Sequence, residues 1–462
     1  MQQEFTWWMI ALAAWTFLAP PAASQVPAHR QHIEKRLAPF PPEVQDSAVV
    51  SPDGRRIAYV RKVGQQQAAV IDGNQDSLYD RVEAISFSAN SQWHAYAAES
   101  AGKWLIVING REQPPQARVG PPIFSSHSKR LAYTALQPDG EHVVAMEANN
   151  PPGRPYERIL AGNLVFSPDS RRLAYGARRD GKWYLVIDRA EVGPYDFLGS
   201  STGIQFSPDG AQVAFAALVG KNWCVVVDGR PQKPYENVAS LLLSPDGKRL
   251  AYAALAEGNW RVVVDGQQQQ PYESIGEGTL QFSPSGTSLA YAAQSGQKWL
   301  VLSDGKEGKP YDGIGAMRFS PNGRLLAYAA RLGSAEMVVV NNRDQKVFDR
   351  VAGHSLVFSP DSSRLGYIAR VGRASFVVID GKRNPRYEMV ANLNFSPDGS
   401  HYVYAATNNG KAFTVVDQKE AAHHYDAIWN VPEAKFLFDN RKQFHYLAVK
   451  EGDIFLVEEE VE

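Results

Sequence analysis

The sequence predicts an all-β chain, a β-propeller of about eleven four-stranded repeats. Three observations predict it. A turn tetrad of the Ser-Pro-Asp-Gly type recurs with its serine at Ser51, Ser88, Ser125, Ser167, Ser207, Ser244, Ser283, Ser320, Ser359 and Ser396, in steps of 37 to 42 residues. A polar residue closes a short apolar run at Asp72, Asn109, Glu147, Asp188, Asp228, Asp265, Asp304, Asn341, Asp380, Asp417 and Glu458. An aromatic follows at Tyr79, Tyr156, Tyr195, Tyr235, Tyr272, Tyr311, Phe348, Tyr387 and Tyr425, and is missing from the second unit. Four short strands in about 40 residues are the mark of a propeller blade.

The stretch Phe206 to Glu236 shows why each element forms. In the turn Ser207-Pro208-Asp209-Gly210, proline presets φ, aspartate bonds nearby backbone, and glycine accepts positive φ. Gln212 to Ala217 alternates, with small residues on one side, and reads as a strand. Trp223 to Val227 is a nearly unbroken apolar run, which suits a strand covered on both faces. Asp228-Gly229 ends it as a hairpin. Pro234-Tyr235-Glu236 opens a third strand, and Leu241 to Leu243 forms a fourth before the next tetrad.

The repeated FSPDG-x-x-(L/V)-A-(Y/F)-A-A followed by W-x-V-V-V-D-G resembles the WD40-like propeller repeat of bacterial TolB-type proteins. A related repeat builds the propellers that precede prolyl-oligopeptidase-type hydrolases. The resemblance covers most of the chain and implies a propeller with protein partners in a cell envelope. Departures fall at Ser88 to Ser91, Ser125 to Ser128, and Phe438 to Asn440, where those turns are expected to be weaker.

Residues 1–24 read as a secretory leader. Phe5 to Ala19 is apolar apart from Thr6 and Thr16, shorter than the roughly 20 residues of a comfortable membrane span. Ala22-Ala23-Ser24 supplies small residues before a cleavage point at Gln25. Glu4, with no Lys or Arg before the apolar run, departs from the usual pattern, so an uncleaved anchor stays open. Residues 25–38 are polar and basic, and are expected to be a linker ahead of the array, 39–462. The sole cysteine, Cys224, lies in an apolar strand and can form no internal disulfide. Stability must then come from a core. The formal net charge of -1 gives no reason to expect nucleic acid, and no basic stripe stands out along the chain.

The two ends carry a closure signal. Pro39-Phe40 matches the third strand, Val49-Val50 the fourth, and Ile454 to Val457 the second. The termini are expected to meet in one composite blade, two strands from each end, leaving no open edge. Eleven units exceed the usual four to eight blades. Either one large ring forms, or two rings of five and six. Alternation in the tyrosine-to-serine spacing, 9 residues after Tyr235, Tyr311 and Tyr387 but 11 after Tyr272 and Phe348, favours a regular ring.

No catalytic constellation and no cofactor motif is expected. Gly199 to Gly203 spells G-x-S-x-G, but it leads into a strand rather than a helix and reads as a polar loop. His423 and His424 point to opposite faces of an extended chain, so a metal site would need His445 as well. Acids after the tyrosine marker, such as Asp196, Glu236, Glu273 and Asp312, are expected to pair with Arg172, Lys248 and Arg249. The repeated Trp104, Trp183, Trp223, Trp260 and Trp299 hold one position, where they either glue blades together or form an aromatic binding rim. The functional expectation is a secreted or periplasmic, non-catalytic scaffold that binds cell-envelope protein. A carbohydrate-binding propeller and a channel-mouth lyase or hydrolase are the alternatives. Candidate contact loops are 267–270, 149–154 and 191–194.

Overall fold

The computed structural model describes residues 31–128, 130–137, 139–140, 142–146, 153–160, 162–199, 203–429 and 436–461. The leader expected at 1–24 lies outside them. Eleven antiparallel sheets follow one another along the chain and stand as blades in a ring. Blade 6 shows the plan, with strands Asn237–Leu243, Leu250–Ala256, Asn259–Val264 and Gln267–Tyr272 paired in that order. The segment before each Ser-Pro-Asp-Gly turn is thus the inner strand of the following blade. Inner strands of neighbouring blades touch, as Gly313–Phe319 and Arg350–Phe358 do.

The core is divided among the blade boundaries. Eleven apolar clusters each join two neighbours, from Ala58, Ile71 and Tyr96 between blades 1 and 2 round to Phe40, Val50 and Ile454 between blades 11 and 1. This unbroken circuit settles the ring number as one ring of eleven. The repeated Ala-Tyr-Ala-Ala explains the fit. In blade 6, Ala251, Tyr252, Ala253 and Ala254 are all buried. The alanines let adjacent sheets approach, and the tyrosine meets the aromatic marker of the preceding blade edge-on. Tyr235 and Tyr252 lie 6.0 Å apart at 69°, and Tyr387 and Tyr404 lie 6.2 Å apart at 62°.

The marker tyrosines do a second job with their hydroxyls. Tyr79 donates to Glu112 (2.9 Å), Tyr156 to Glu191 (3.0 Å), Tyr272 to Glu307 (2.7 Å), Tyr311 to Asp344 (2.5 Å) and Tyr387 to Glu420 (2.9 Å). Each acceptor belongs to the next blade's outer strand. Burial is the main reason the hydroxyls of Tyr79, Tyr175, Tyr195, Tyr291, Tyr328 and Tyr367 are pushed up to about 12. A raised folded value favours the neutral phenol. Its stabilising contribution is therefore complete below the unfolded value of about 10 and is lost as pH rises through the folded value. The melting temperature should fall steeply above pH about 10, with phenolate absorbance from these residues appearing only on unfolding. Their full titration near the unfolded value in an intact ring would contradict this.

The turns explain their own sequence. Ser207, almost fully buried, donates to Asp209 Oδ1 at 2.5 Å and accepts from the Gln212 amide at 2.9 Å. The Ser207 hydroxyl and the Ala211 amide hold the Asp209 carboxyl below the usual range. Gly210 takes φ +70°, and an added Cβ would lie 2.7 Å from Asp169 of the preceding blade. Two of the three departing turns carry a substitute bond. Ser91 and Ser128 replace the glycine at φ 60° and 59°, and their hydroxyls accept the amides of Asp53 and Asn90 in the preceding blade. The closing acids also have a local role: Asp228, at φ 48°, accepts the Val213 amide at 2.9 Å.

Closure differs from expectation in two ways. The segment expected to be a polar linker becomes a strand from His32, His32–Pro39, paired antiparallel with Asp453–Glu460. Arg36 bonds Asp453 in this pair (2.7 and 2.8 Å), so its basic residues serve the edge strand. The composite blade is also three plus one, not two plus two. Val49–Val50 pairs with Ile57–Val63 and opens blade 1, because the turn between them is a hairpin. Glu458 accordingly stays in strand pairing with Ile33 rather than ending a turn. Phe40 does occupy the aromatic-marker position, 6.1 Å from Tyr59 at 78°. Tyr425 donates to Glu34 at 2.9 Å, repeating the tyrosine–carboxylate bond with a residue from the other end of the chain.

Candidate functional site

Strand direction gives the ring two faces. The Ser-Pro-Asp-Gly and Asp-Gly turns lie on one, the turn face. The hairpins between the second and third strands of each sheet lie on the other, the hairpin face. The turn face is tied together by arginines. Arg172 bonds Asp188 of its own blade (3.1 Å), reaches the carbonyls of Gly210 and Ala211 in the next (3.1 and 2.9 Å), and lies 5.6 Å over Phe206. Arg56, Arg249 and Arg364 repeat this arrangement.

The acids after the tyrosine marker sit on the hairpin face, so the pairing expected with Arg172, Lys248 and Arg249 does not form. Asp196 instead accepts the Gly220 amide (2.6 Å) and Lys182 Nζ (2.6 Å). Asp312 does the same with Gly333 and Lys298. Glu236 and Glu273 accept the amides of Glu257 and Gly296. Each acid thereby fastens the next blade's hairpin. In blade 2 the position is Ala117, which leaves Lys103 without the partner that Lys182 and Lys298 have.

Beside that gap the hairpin face turns cationic. Arg81, Arg118 and Arg158 are the first inner-strand residues of blades 2, 3 and 4, and all are exposed. Arg81 pairs with Glu83 at 2.5 Å. Arg118 lies 5.4 Å over the Trp104 ring. Among the described residues Arg61, Lys62, Lys103, Arg118 and Arg158 make no ion pair. A cleft of about 600 Å³ opens at the start of this arc. Its walls include Pro41, Val44, Tyr59 and Val82 together with the cations Arg61, Lys62 and Arg81 and the acids Glu43 and Glu83. The short 3-10 helix Pro42–Ser47 forms one side. Ser47 holds that helix in place, donating to the Val44 carbonyl (3.0 Å) and accepting the Val60 amide (3.0 Å). Sequence reading missed the arc because its arginines stand 37 and 40 residues apart. Only the blade register brings them side by side.

The tryptophans all sit where the second hairpin strand begins, and each pairs with the aromatic-marker position of its own blade. Trp104 and Trp183 are buried in boundary clusters. Trp223, Trp260 and Trp299 are half-buried on the consecutive blades 5, 6 and 7. Replacing Trp183 by alanine should cost about 3–5 kcal/mol, read by denaturant unfolding. A cost under about 1 kcal/mol would show that it is not part of the core.

Other sequence candidates separate. His423 stacks on His32 at 3.3 Å and His424 on Phe413 at 4.9 Å. His445 lies elsewhere, at the turn-face junction of blades 11 and 1, bonded to Asp439 (2.9 Å) and the Asp53 carbonyl (2.7 Å). Among the described residues no group of three or more His, Cys, Asp or Glu could hold a metal ion. Phe197–Leu198 and Gln205–Phe206, which flank the G-x-S-x-G letters, pair with one and the same strand. Residues 200–202 lie outside the described set. Two expected contact loops are strand: 267–270 falls in Gln267–Tyr272 and 191–194 in Ala190–Tyr195. Both lie at the outer rim, because the Asp-Gly hairpin extends there. Of 149–154, residues 149–152 lie outside the described set.

The repeats and the eleven four-stranded blades define the class: a β-propeller. No family model matches the chain, and no curated protein matches it. Among solved structures it is similar to a eukaryotic initiation factor, at 14% identity and TM-score 0.42 over 82% of this chain and 98% of that one. The Dos1 propeller aligns at 14% identity and TM-score 0.33 over 64% and 89%. TolB from Acinetobacter baumannii aligns at 15% identity and TM-score 0.26 over 57% and 77%. No helix among the described residues is long and apolar enough to cross a membrane.

Proposed function

We propose that this chain is an extracytoplasmic, non-catalytic scaffold that binds a cell-envelope protein across its hairpin face. The observation that carries the reading is the contrast between the faces. On the turn face Arg56, Arg172, Arg249 and Arg364 are spent in holding blade to blade. The hairpin face keeps the cleft, the cations Arg61, Lys62, Lys103, Arg118 and Arg158 beside it, and exposed apolar side chains at Val219, Leu332, Val371 and Met389. Exposed apolar groups rimmed by polar ones favour a protein partner. The leader-like residues 1–24 support export. The test is affinity capture from envelope extract with three baits. The Leu332→Asp/Val371→Asp protein should lose a partner that the wild type and Arg171→Glu, a turn-face control, both retain. Equal recovery by all three would overturn the reading.

Glycan binding is the second reading, favoured by half-exposed Trp223, Trp260 and Trp299 on consecutive blades. Loss of glycan retention in Trp260→Ala with an unchanged melting temperature would support it. Failure of the wild type to retain any glycan on an array would end it.

A further inference from the structure

We infer that the cationic arc on blades 1 to 4 docks an acidic peptide segment of the partner, with an apolar side chain seated in the cleft. This rests on the scaffold reading and names the chemistry of what the scaffold holds. The arc is built from Arg61, Lys62, Lys103, Arg118 and Arg158, which make no ion pair among the described residues.

The neighbouring acids are mostly engaged. Asp80 accepts the Ala101 amide, Glu83 pairs with Arg81, and Glu157 accepts the Gly181 amide and lies 3.7 Å from Arg178. Glu43 at the cleft, Asp46 on the same short helix, Asp139 on the blade 3 hairpin and Glu99, opposite Arg81 in the sheet, are further local acids. Elsewhere on the ring the position held by Arg81, Arg118 and Arg158 is Phe197, Asn237, Ser274, Gly313, Met389 or Ala427, or Arg350, which pairs with Glu336 at 3.0 Å. Blades 2 to 4 therefore carry a row of arginines at one register, which elsewhere on the ring only Arg350 repeats.

The cleft decides the class of anion. Its walls mix Pro41, Val44 and Val82 with Arg61, Lys62 and Arg81 and with two acids, Glu43 and Glu83, so it suits an apolar side chain whose flanking carboxylates reach the cations. A nucleic acid presents a dense line of phosphates, whereas the arginines of the arc stand one to a blade. The overall charge of -1 supplies no general attraction for a polyanion or an anionic bilayer. A peptide can space its carboxylates to match separate cations, and such charges steer encounter and set salt dependence.

The experiment measures fluorescence anisotropy of a short labelled Glu/Leu peptide with the full chain. A Lys/Leu peptide, a single-stranded oligonucleotide and anionic vesicles run as parallel arms. The Glu/Leu peptide should bind, weaken with added salt, and lose about tenfold in affinity in Arg118→Glu/Arg158→Glu. Lys62→Glu/Lys103→Glu, at two fully surface-facing sites, serves as a second variant should the first misfold. Equal binding of both peptides, no effect of either reversal, or tighter binding of oligonucleotide or vesicle would overturn the inference. A partner lost by Leu332→Asp/Val371→Asp but indifferent to the reversals would overturn this inference alone and leave the scaffold standing.

Discussion

Replacing Phe40 by alanine is expected to destabilise the protein by about 3–5 kcal/mol and to loosen the ring at one place. Phe40 is buried where blade 11 meets blade 1. It lies edge-on to Tyr59 and to Trp429, at 6.1 and 4.8 Å. Its amide bonds the Gly452 carbonyl at 2.7 Å, which fixes the end of the edge strand. Removing the ring leaves a cavity at the junction that joins distant parts of the chain. Hydrogen exchange should quicken in 32–39 and 453–460. Phe348→Ala makes a matched control, since Phe348 holds the same position at the boundary of blades 8 and 9, 6.0 Å from Tyr367. It should cost a similar free energy without opening 32–39. A Phe40→Ala protein with unchanged exchange there would show that Phe40 does not hold the closure.

The second large effect is expected at Glu459, one of the few buried acids in the described chain. It stands at the position where other blades turn, but here the strand runs on to meet His32. Its side chain faces blade 10 and accepts from Thr414 Oγ1 at 2.8 Å and from Tyr446 OH at 2.6 Å. Burial, helped by the nearby Glu459 charge, pushes the Tyr446 hydroxyl well up, so it stays a donor. Glu459→Ala would strip two buried hydroxyls of their acceptor and should cost about 3 kcal/mol or more. Glu459→Gln keeps one acceptor oxygen and should cost less. Equal stability of the alanine variant and wild type in denaturant would remove this bond network from the account.

Much of the fold was legible because a blade repeats its physics. Turn chemistry at Ser207 to Gly210, the apolar strand at Trp223 and the marker at Tyr235 each read locally, and their fixed phase counted the blades. What failed was pairing across the ring. Arg172 and Asp196 are close in sequence, yet strand direction sends them to opposite faces. Residues 32–38 looked like a linker because an edge strand may be polar on its open side, and Ile33 is indeed 65% exposed. Val49-Val50 matched a fourth strand, but local pattern could not tell which blade a strand between two units joins. The candidate site was harder still. Each cation of the arc is an ordinary exposed residue in its own repeat, and only placing equivalent positions on adjacent blades makes them a patch. Trp104 and Trp223 share one sequence signature yet differ in burial, because their neighbours across the boundary differ.

Counting blades down the axis by electron microscopy tests the central claim most directly. The predicted view is one ring of eleven wedges, with density for 32–39 lying on the outer edge of the wedge formed by 427–460. Two smaller rings, or a gap between the first and last wedges, would contradict it.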